Sequence, residues 1–185
     1  MNPLVDLLLA TYRANAQPAT FFAGDPHAWR PRPALITLLA ANLLASLALA
    51  VLLDQAGAPS LAVPWWLVLP ALLLPYVALL TAIGALVSMR TRGFQPALLA
   101  LHAWSWTSSA PLALLALPIG FLDARLALLG FVLALPLAHT VLVTFALRSV
   151  DAAGWRRAVT LHLLAVFAVP ALLTALPLGL LAGRT

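Results

Sequence analysis

The chain has 185 residues, of which 64 % are hydrophobic, and its only charges are ten arginines and five aspartates. That is 8 % charged residues, against roughly 25 % in an ordinary soluble domain, so too few polar side chains exist to cover a globule in water. The absence of cysteine removes disulfides, thiolate metal sites and S-acylation from consideration.

In chain order, the N-terminal segment 1–32 comes first and is expected to lie in the cytoplasm. It lacks the basic start of a cleaved signal peptide, and Asp6 interrupts its short apolar run. Residues 3–15 read as a short amphipathic helix, with Val5, Leu8, Leu9 and Tyr12 on one face and Asp6, Ala10 and Arg13 on the other. Such a helix can lie among lipid headgroups or pack on the end of a bundle. Pro18, Pro26 and Pro31 deny the rest of the segment a long helix.

Five apolar stretches without a charge follow, at 33–53, 64–89, 96–118, 126–147 and 159–182, each 21 to 26 residues long. A helix needs about 20 residues to cross the hydrocarbon core, and only structures that satisfy their own backbone can do so. The absence of strict polar alternation argues against barrel strands. The expected fold is therefore all-α: a polytopic membrane domain of five transmembrane helices over 33–185, preceded by the interfacial N-terminal segment. Prolines 70, 75, 111, 136, 170 and 177 fall inside the spans, where each removes a donor and favours a kink.

Arginine placement orients the bundle. Arg13, Arg30, Arg32, Arg90, Arg92, Arg148, Arg156 and Arg157 fall on one side, and Arg125 and Arg184 on the other. The positive-inside rule then puts the N-terminus in the cytoplasm and the C-terminus outside. The eight arginines form a cytoplasmic basic face that would attract anionic headgroups. They are too dispersed for nucleic acid, which calls for a clustered basic stripe. Gly84 and Ser88, with Ala78, Ala82 and Ala85 nearby, and Ala134 with Ala138, have the spacing of close helix packing. That packing would join helices of this chain, of a second copy, or of a membrane-protein partner.

The informative polar positions lie at membrane depth. His102, His139 and His162 stand about seven, eight and four residues in from the cytoplasmic ends of their spans. His102 shares a face with Ser105, Trp106 and Ser109, and Asn42 and Ser46 form a polar pair in the first span. His102, Ser105, Ser109, His139, His162 and Asn42 are thus the candidates for an intramembrane polar pocket, as in a proton- or solute-translocating carrier. The same groups can simply bond helix to helix. A metal would need three converging ligands, and neither metal nor cofactor is expected. The run 105–111 suits hydroxyls that bond carbonyls left free by Pro111. Without a GxSxG elbow, an HExxH pair or an intramembrane carboxylate, no catalytic residue and no enzyme activity are expected.

Several short elements resemble the Yip1 family of five-span membrane proteins in its short bacterial form, over residues 15–182. They are Pro18, Thr20 and Phe21 ahead of Trp29; Arg92-Gly93-Phe94 before the third span; and Ser109 with Pro111 within it. Leu147-Arg148-Ser149-Val150 follows the fourth span, and Trp155-Arg156-Arg157-Ala158 leads into the fifth. The resemblance implies a cytoplasmic N-terminus and an outer or lumenal C-terminus. Eukaryotic members act in vesicle trafficking with lipid-anchored small GTPases. Their acidic, Tyr-Gly-Pro-containing N-terminal segment has no counterpart among residues 1–32, so GTPase binding is not carried over. The resulting expectation is a non-enzymatic scaffold or accessory subunit, with the small carrier or channel as the alternative.

Overall fold

The computed structural model describes residues 3–58, 63–92, 96–150, 154–157 and 159–164. The fifth apolar stretch beyond residue 164, with Pro170, Pro177 and Arg184, lies outside them, as do the side chains of Arg90 and Arg92. Among the described residues the structure is all-helical. Its elements are α1 (Pro3–Ala16), α2 (Pro18–Gly24), α3 (Pro31–Gln55), α4 (Trp65–Arg92), α5 (Pro96–Ser105), α6 (Ser109–Gly120) and α7 (Ala124–Val150). Residues 155–157 and 159–164 are also helical.

Local chemistry sets the boundaries. Pro31 opens α3 at a position where the missing N–H costs nothing. Its far end closes on Gly57 at φ +73°. There the Gly57 N–H bonds the Asp54 carbonyl and the Ala58 N–H bonds the Leu53 carbonyl, a paired closure that a left-handed glycine makes easy. Asp123 caps α7, its Oδ1 accepting the N–H groups of Arg125 at 2.9 Å and Leu126 at 3.0 Å. Pro70 and Pro75 lie inside α4 and Pro136 inside α7, and both helices run through them.

Helices α3, α4 and α7 are each long and apolar enough to cross a membrane. They also expose large apolar side chains on their outer faces, among them Ile36, Leu43 and Val51 on α3, Leu72 and Leu86 on α4, and Leu129, Leu133 and Leu137 on α7. Water penalises such a surface, whereas lipid does not.

The third stretch differs from the single helix expected over 96–118. It is broken into α5 and α6 by a turn at 106–108, and neither piece alone is long enough to span. Pro111 falls in the first turn of α6 rather than at a mid-helix kink. Pro111 supplies no N–H for a bond back to the Thr107 carbonyl and its ring crowds that carbonyl, and the hydroxyls compete for backbone partners. Helix α5 therefore ends in short i→i−3 bonds, from Trp106 N to Ala103 O at 3.2 Å and from Thr107 N to Trp104 O at 3.1 Å. Ser105 Oγ donates to the His102 carbonyl at 2.7 Å and Thr107 Oγ1 to the Trp104 carbonyl at 2.8 Å. The hydroxyls thus satisfy the carbonyls at the end of α5, a turn earlier than the one Pro111 leaves free.

Helix α3 is central and touches α4, α5, α6 and α7. One apolar core joins its first half to α4, α5 and the second half of α7, and also takes in Ala10, Ala14, Phe21 and Phe22. A second core joins its other half to α6 and the first half of α7. Helices α5 and α6 therefore cover opposite ends of the bundle in sequence. Helix α1 has two faces. Ala10 and Ala14 are fully buried against the bundle, and Asn15 Nδ2 donates to Thr107 Oγ1 at 3.1 Å, while Leu4, Val5, Leu8, Leu9 and Tyr12 are exposed. Phe21 meets Trp104 edge-on at 5.1 Å, and the Trp104 indole N–H donates to the His27 carbonyl at 2.9 Å.

Candidate intramembrane site

The break between α5 and α6 places polar side chains from several elements beside one another. His102 comes from α5, His139 from α7 and His162 from the helical residues 159–164. All three are buried. Ring centroids are 4.7 Å apart for His102 and His162, and 5.1 Å for His139 and His162. The indole of Trp106, in the turn itself, stacks on His139 at 3.8 Å with planes 21° apart.

The hydrogen bonds fix the tautomers of His139 and His162 as neutral rings. A carbonyl only accepts, so His139 Nδ1 donates to the Ser105 carbonyl at 3.2 Å. Its Nε2 then carries the lone pair and accepts from His162 Nε2 at 2.8 Å. The Ser88 Oγ lies 3.0 Å from the Gly84 carbonyl and 2.9 Å from His102 Nε2, bonded to both. Neither His102 Nδ1 nor His162 Nδ1 has a hydrogen-bond partner among the described residues. They also lie against one residue. A Cβ built on Gly84 would stand 2.5 Å from His162 Nδ1 and 2.9 Å from His102 Nδ1. The absence of a side chain at Gly84 is what lets the two rings seat on α4.

Next to this cluster, α3, α4 and α7 partly enclose a cavity of about 450 Å³. Its walls are mostly apolar, including Leu49, Leu73, Val77, Leu80, Phe131 and Leu135. A small polar set interrupts them: Asn42, Tyr76, Trp106, Ser109, His139 and Thr140. Among these, Trp106 Nε1 and Ser109 Oγ are buried without a hydrogen-bond partner, a costly arrangement in a native interior.

Of the six side chains singled out in the sequence, His139, Ser109 and Asn42 line the cavity. His102 and His162 stand behind it in the imidazole cluster. Ser105 contributes its carbonyl to His139, while its hydroxyl is committed to the His102 carbonyl. Asn42 Nδ2 is likewise bonded within its own helix, to the Leu38 carbonyl at 2.8 Å. Trp106, Ser88, Gly84, Tyr76 and Thr140 join the site without having been among those six. The four-residue spacing of Gly84 and Ser88 marked a close contact, but nothing in it says that imidazoles make the contact. Among the described residues, no group of three His or Asp side chains is placed to hold a metal ion.

The basic face gathers at one end of the bundle. Arg30 and Arg32 stand at the start of α3, and Arg148, Arg156 and Arg157 at or just beyond the end of α7, all exposed. Arg156 lies over the Trp155 ring at 5.6 Å. Arg13 is instead paired with Asp25, Nε to Oδ2 at 2.8 Å, and pins α1 to the residue that follows α2. Arg125 stands at the opposite end, at the start of α7. No family model, curated protein or solved structure matches the chain.

Proposed function

We propose that this chain is a non-enzymatic, five-span inner-membrane protein that holds a guest inside the bilayer, in the manner of a small carrier. The observation that carries this reading is the broken third span. Its turn sets the imidazole cluster and two unpartnered polar atoms beside a cavity whose walls are membrane helices. Discontinuous helices with polar groups near mid-depth are the usual architecture of transporter binding sites. Interhelical hydrogen bonding accounts for His102, His139 and His162, but not for the Trp106 and Ser109 groups without partners, which are costly at depth.

In this reading α5 and α6 cross together as the third span, and the fifth begins near residue 159. The exposed arginines at one end of α3 and α7 support an N-terminus inside and a C-terminus outside. A reporter fused after Thr185 should be active outside the cytoplasm; activity inside would overturn either the span count or the orientation.

The guest itself is tested by extraction. Protein purified in a mild detergent should carry a near-stoichiometric organic molecule, and Leu73→Trp, which fills the cavity from α4, should lose it at unchanged yield of folded protein. Equal content in both proteins, or none in either, would reject the reading. The uncovered apolar face of α1, with Leu4, Leu8 and Tyr12 more than half exposed, favours a second role. That role is scaffold or accessory subunit, with α1 on lipid or against a membrane-protein partner.

A further inference from the structure

We infer that the guest is a neutral amphiphile whose carbonyl oxygen is received by Trp106 and Ser109 while its apolar chain lies along α4 and α7. This rests on the proposed cavity reading and names the chemistry that the cavity selects.

Three observations converge on that head group. The first is the pair of unpartnered atoms. Trp106 is 6 % exposed and Ser109 0 %, both residues line the cavity, and neither the indole N–H nor the Ser109 hydroxyl has a partner. An indole N–H can only donate and a hydroxyl can donate, so the missing partner is an acceptor. The second is the start of α6. The Ser109 and Ala110 N–H groups are already bonded to the Trp106 and Thr107 carbonyls and Pro111 has none, so the two side chains, not the backbone, are the donors left for a guest. The third is charge. Among the described residues no arginine or aspartate lines the cavity, and an anion buried without a counter-charge is heavily penalised. A carboxylate or phosphate is therefore disfavoured, and a neutral oxygen acceptor such as a carbonyl fits.

The rest of the cavity specifies the tail. Leu73, Val77 and Leu80 on one side and Phe131 and Leu135 on the other offer no partner for water, so this part of the cavity suits an apolar chain. About 450 Å³ with few polar groups is the ordinary form of a pocket for a largely apolar ligand. Two sources supply a neutral carbonyl on an apolar chain: the quinone ring of a membrane-soluble electron carrier, and the ester of a glycerolipid.

The test uses the full chain in maltoside micelles, which contain no carbonyl, after detergent exchange has removed any co-purifying molecule, and follows the melting temperature during titration with three probes. These are decylbenzoquinone, 1,2-dioctanoylglycerol and dodecane. At least one carbonyl-bearing probe should stabilise the wild type with a midpoint at least tenfold lower than that of dodecane. Trp106→Phe combined with Ser109→Ala keeps the aromatic stack and the packing, and should erase that gap while leaving the dodecane response unchanged. Leu73→Trp should erase every response. A response to decylbenzoquinone alone assigns the quinone source, and one to dioctanoylglycerol alone assigns the ester. If dodecane matches the carbonyl probes, or the double variant keeps the gap, recognition of the head group is refuted while the cavity reading stands. If no probe acts on the wild type, or Leu73→Trp responds as the wild type does, both fall.

Discussion

Replacing Gly84 by alanine is expected to lower stability by about 1–3 kcal/mol, the range found when a packed core is overfilled, seen as a melting temperature several degrees lower in detergent. Helix propensity alone predicts the opposite, since alanine is preferred to glycine inside a helix by roughly 1 kcal/mol. The packing term wins because the added Cβ has nowhere to go. It would stand 2.5 Å from His162 Nδ1, 2.6 Å from His162 Cε1 and 2.9 Å from His102 Nδ1. Neither ring can simply swing aside. His102 is held by Ser88 at 2.9 Å and His162 by His139 at 2.8 Å, so a shift breaks a buried hydrogen bond as well. Gly130, within α7, is the control, because a Cβ there meets nothing within 4 Å. Gly130→Ala should therefore leave stability unchanged or raise it. Equal and opposite signs are not required, but a Gly84→Ala protein as stable as Gly130→Ala would show that the imidazoles do not rest on α4.

The same contrast shows what the sequence could and could not convey. Charge-free length was enough to mark the helices that became α3, α4 and α7, because a bilayer-length apolar run has few other folded forms. The pattern of arginines marked which ends of those helices share a side. The spacing of His102 with Ser105, Trp106 and Ser109 put them on one face of a continuous helix, but the helix breaks after Ser105, and of the four only Trp106 and Ser109 line the cavity. The break after Ser105 was not legible as a break, since a proline six residues on is equally compatible with a kinked continuous helix. Nor was the contact of Gly84 with two imidazoles. Small-residue spacing reports that something approaches closely, and the identity of the neighbour depends on the rotation of α4 about its axis, which a uniformly apolar helix does not encode. The stack of Trp106 on His139 joins residues 33 positions apart in sequence, and only the tertiary crossing of α7 over the turn creates it.

His139→Ala is expected to have the largest effect of any single substitution in the site, on the order of 3–5 kcal/mol by analogy with the loss of a large buried aromatic side chain. Three losses act together. The ring surrenders its stack on Trp106 at 3.8 Å, and the vacated volume opens into the cavity that His139 already lines. The Ser105 carbonyl loses its donor, and the His162 N–H loses its acceptor. A buried polar group stripped of its partner costs roughly 1–3 kcal/mol. His139→Phe separates the contributions, since it retains a ring against Trp106 and removes both hydrogen bonds. It should recover part of the loss and fall between wild type and His139→Ala in detergent unfolding followed by tryptophan fluorescence. A double-mutant cycle with His162→Ala isolates the imidazole–imidazole bond, and contacting residues in one network show coupling of about 0.5–3 kcal/mol. Strict additivity of His139→Ala and His162→Ala would mean that the two rings do not share a proton donor and acceptor. The tautomer chain from Ser105 through His139 to His162 would then be wrong, and with it the assignment of an unpartnered lone pair to His162 Nδ1.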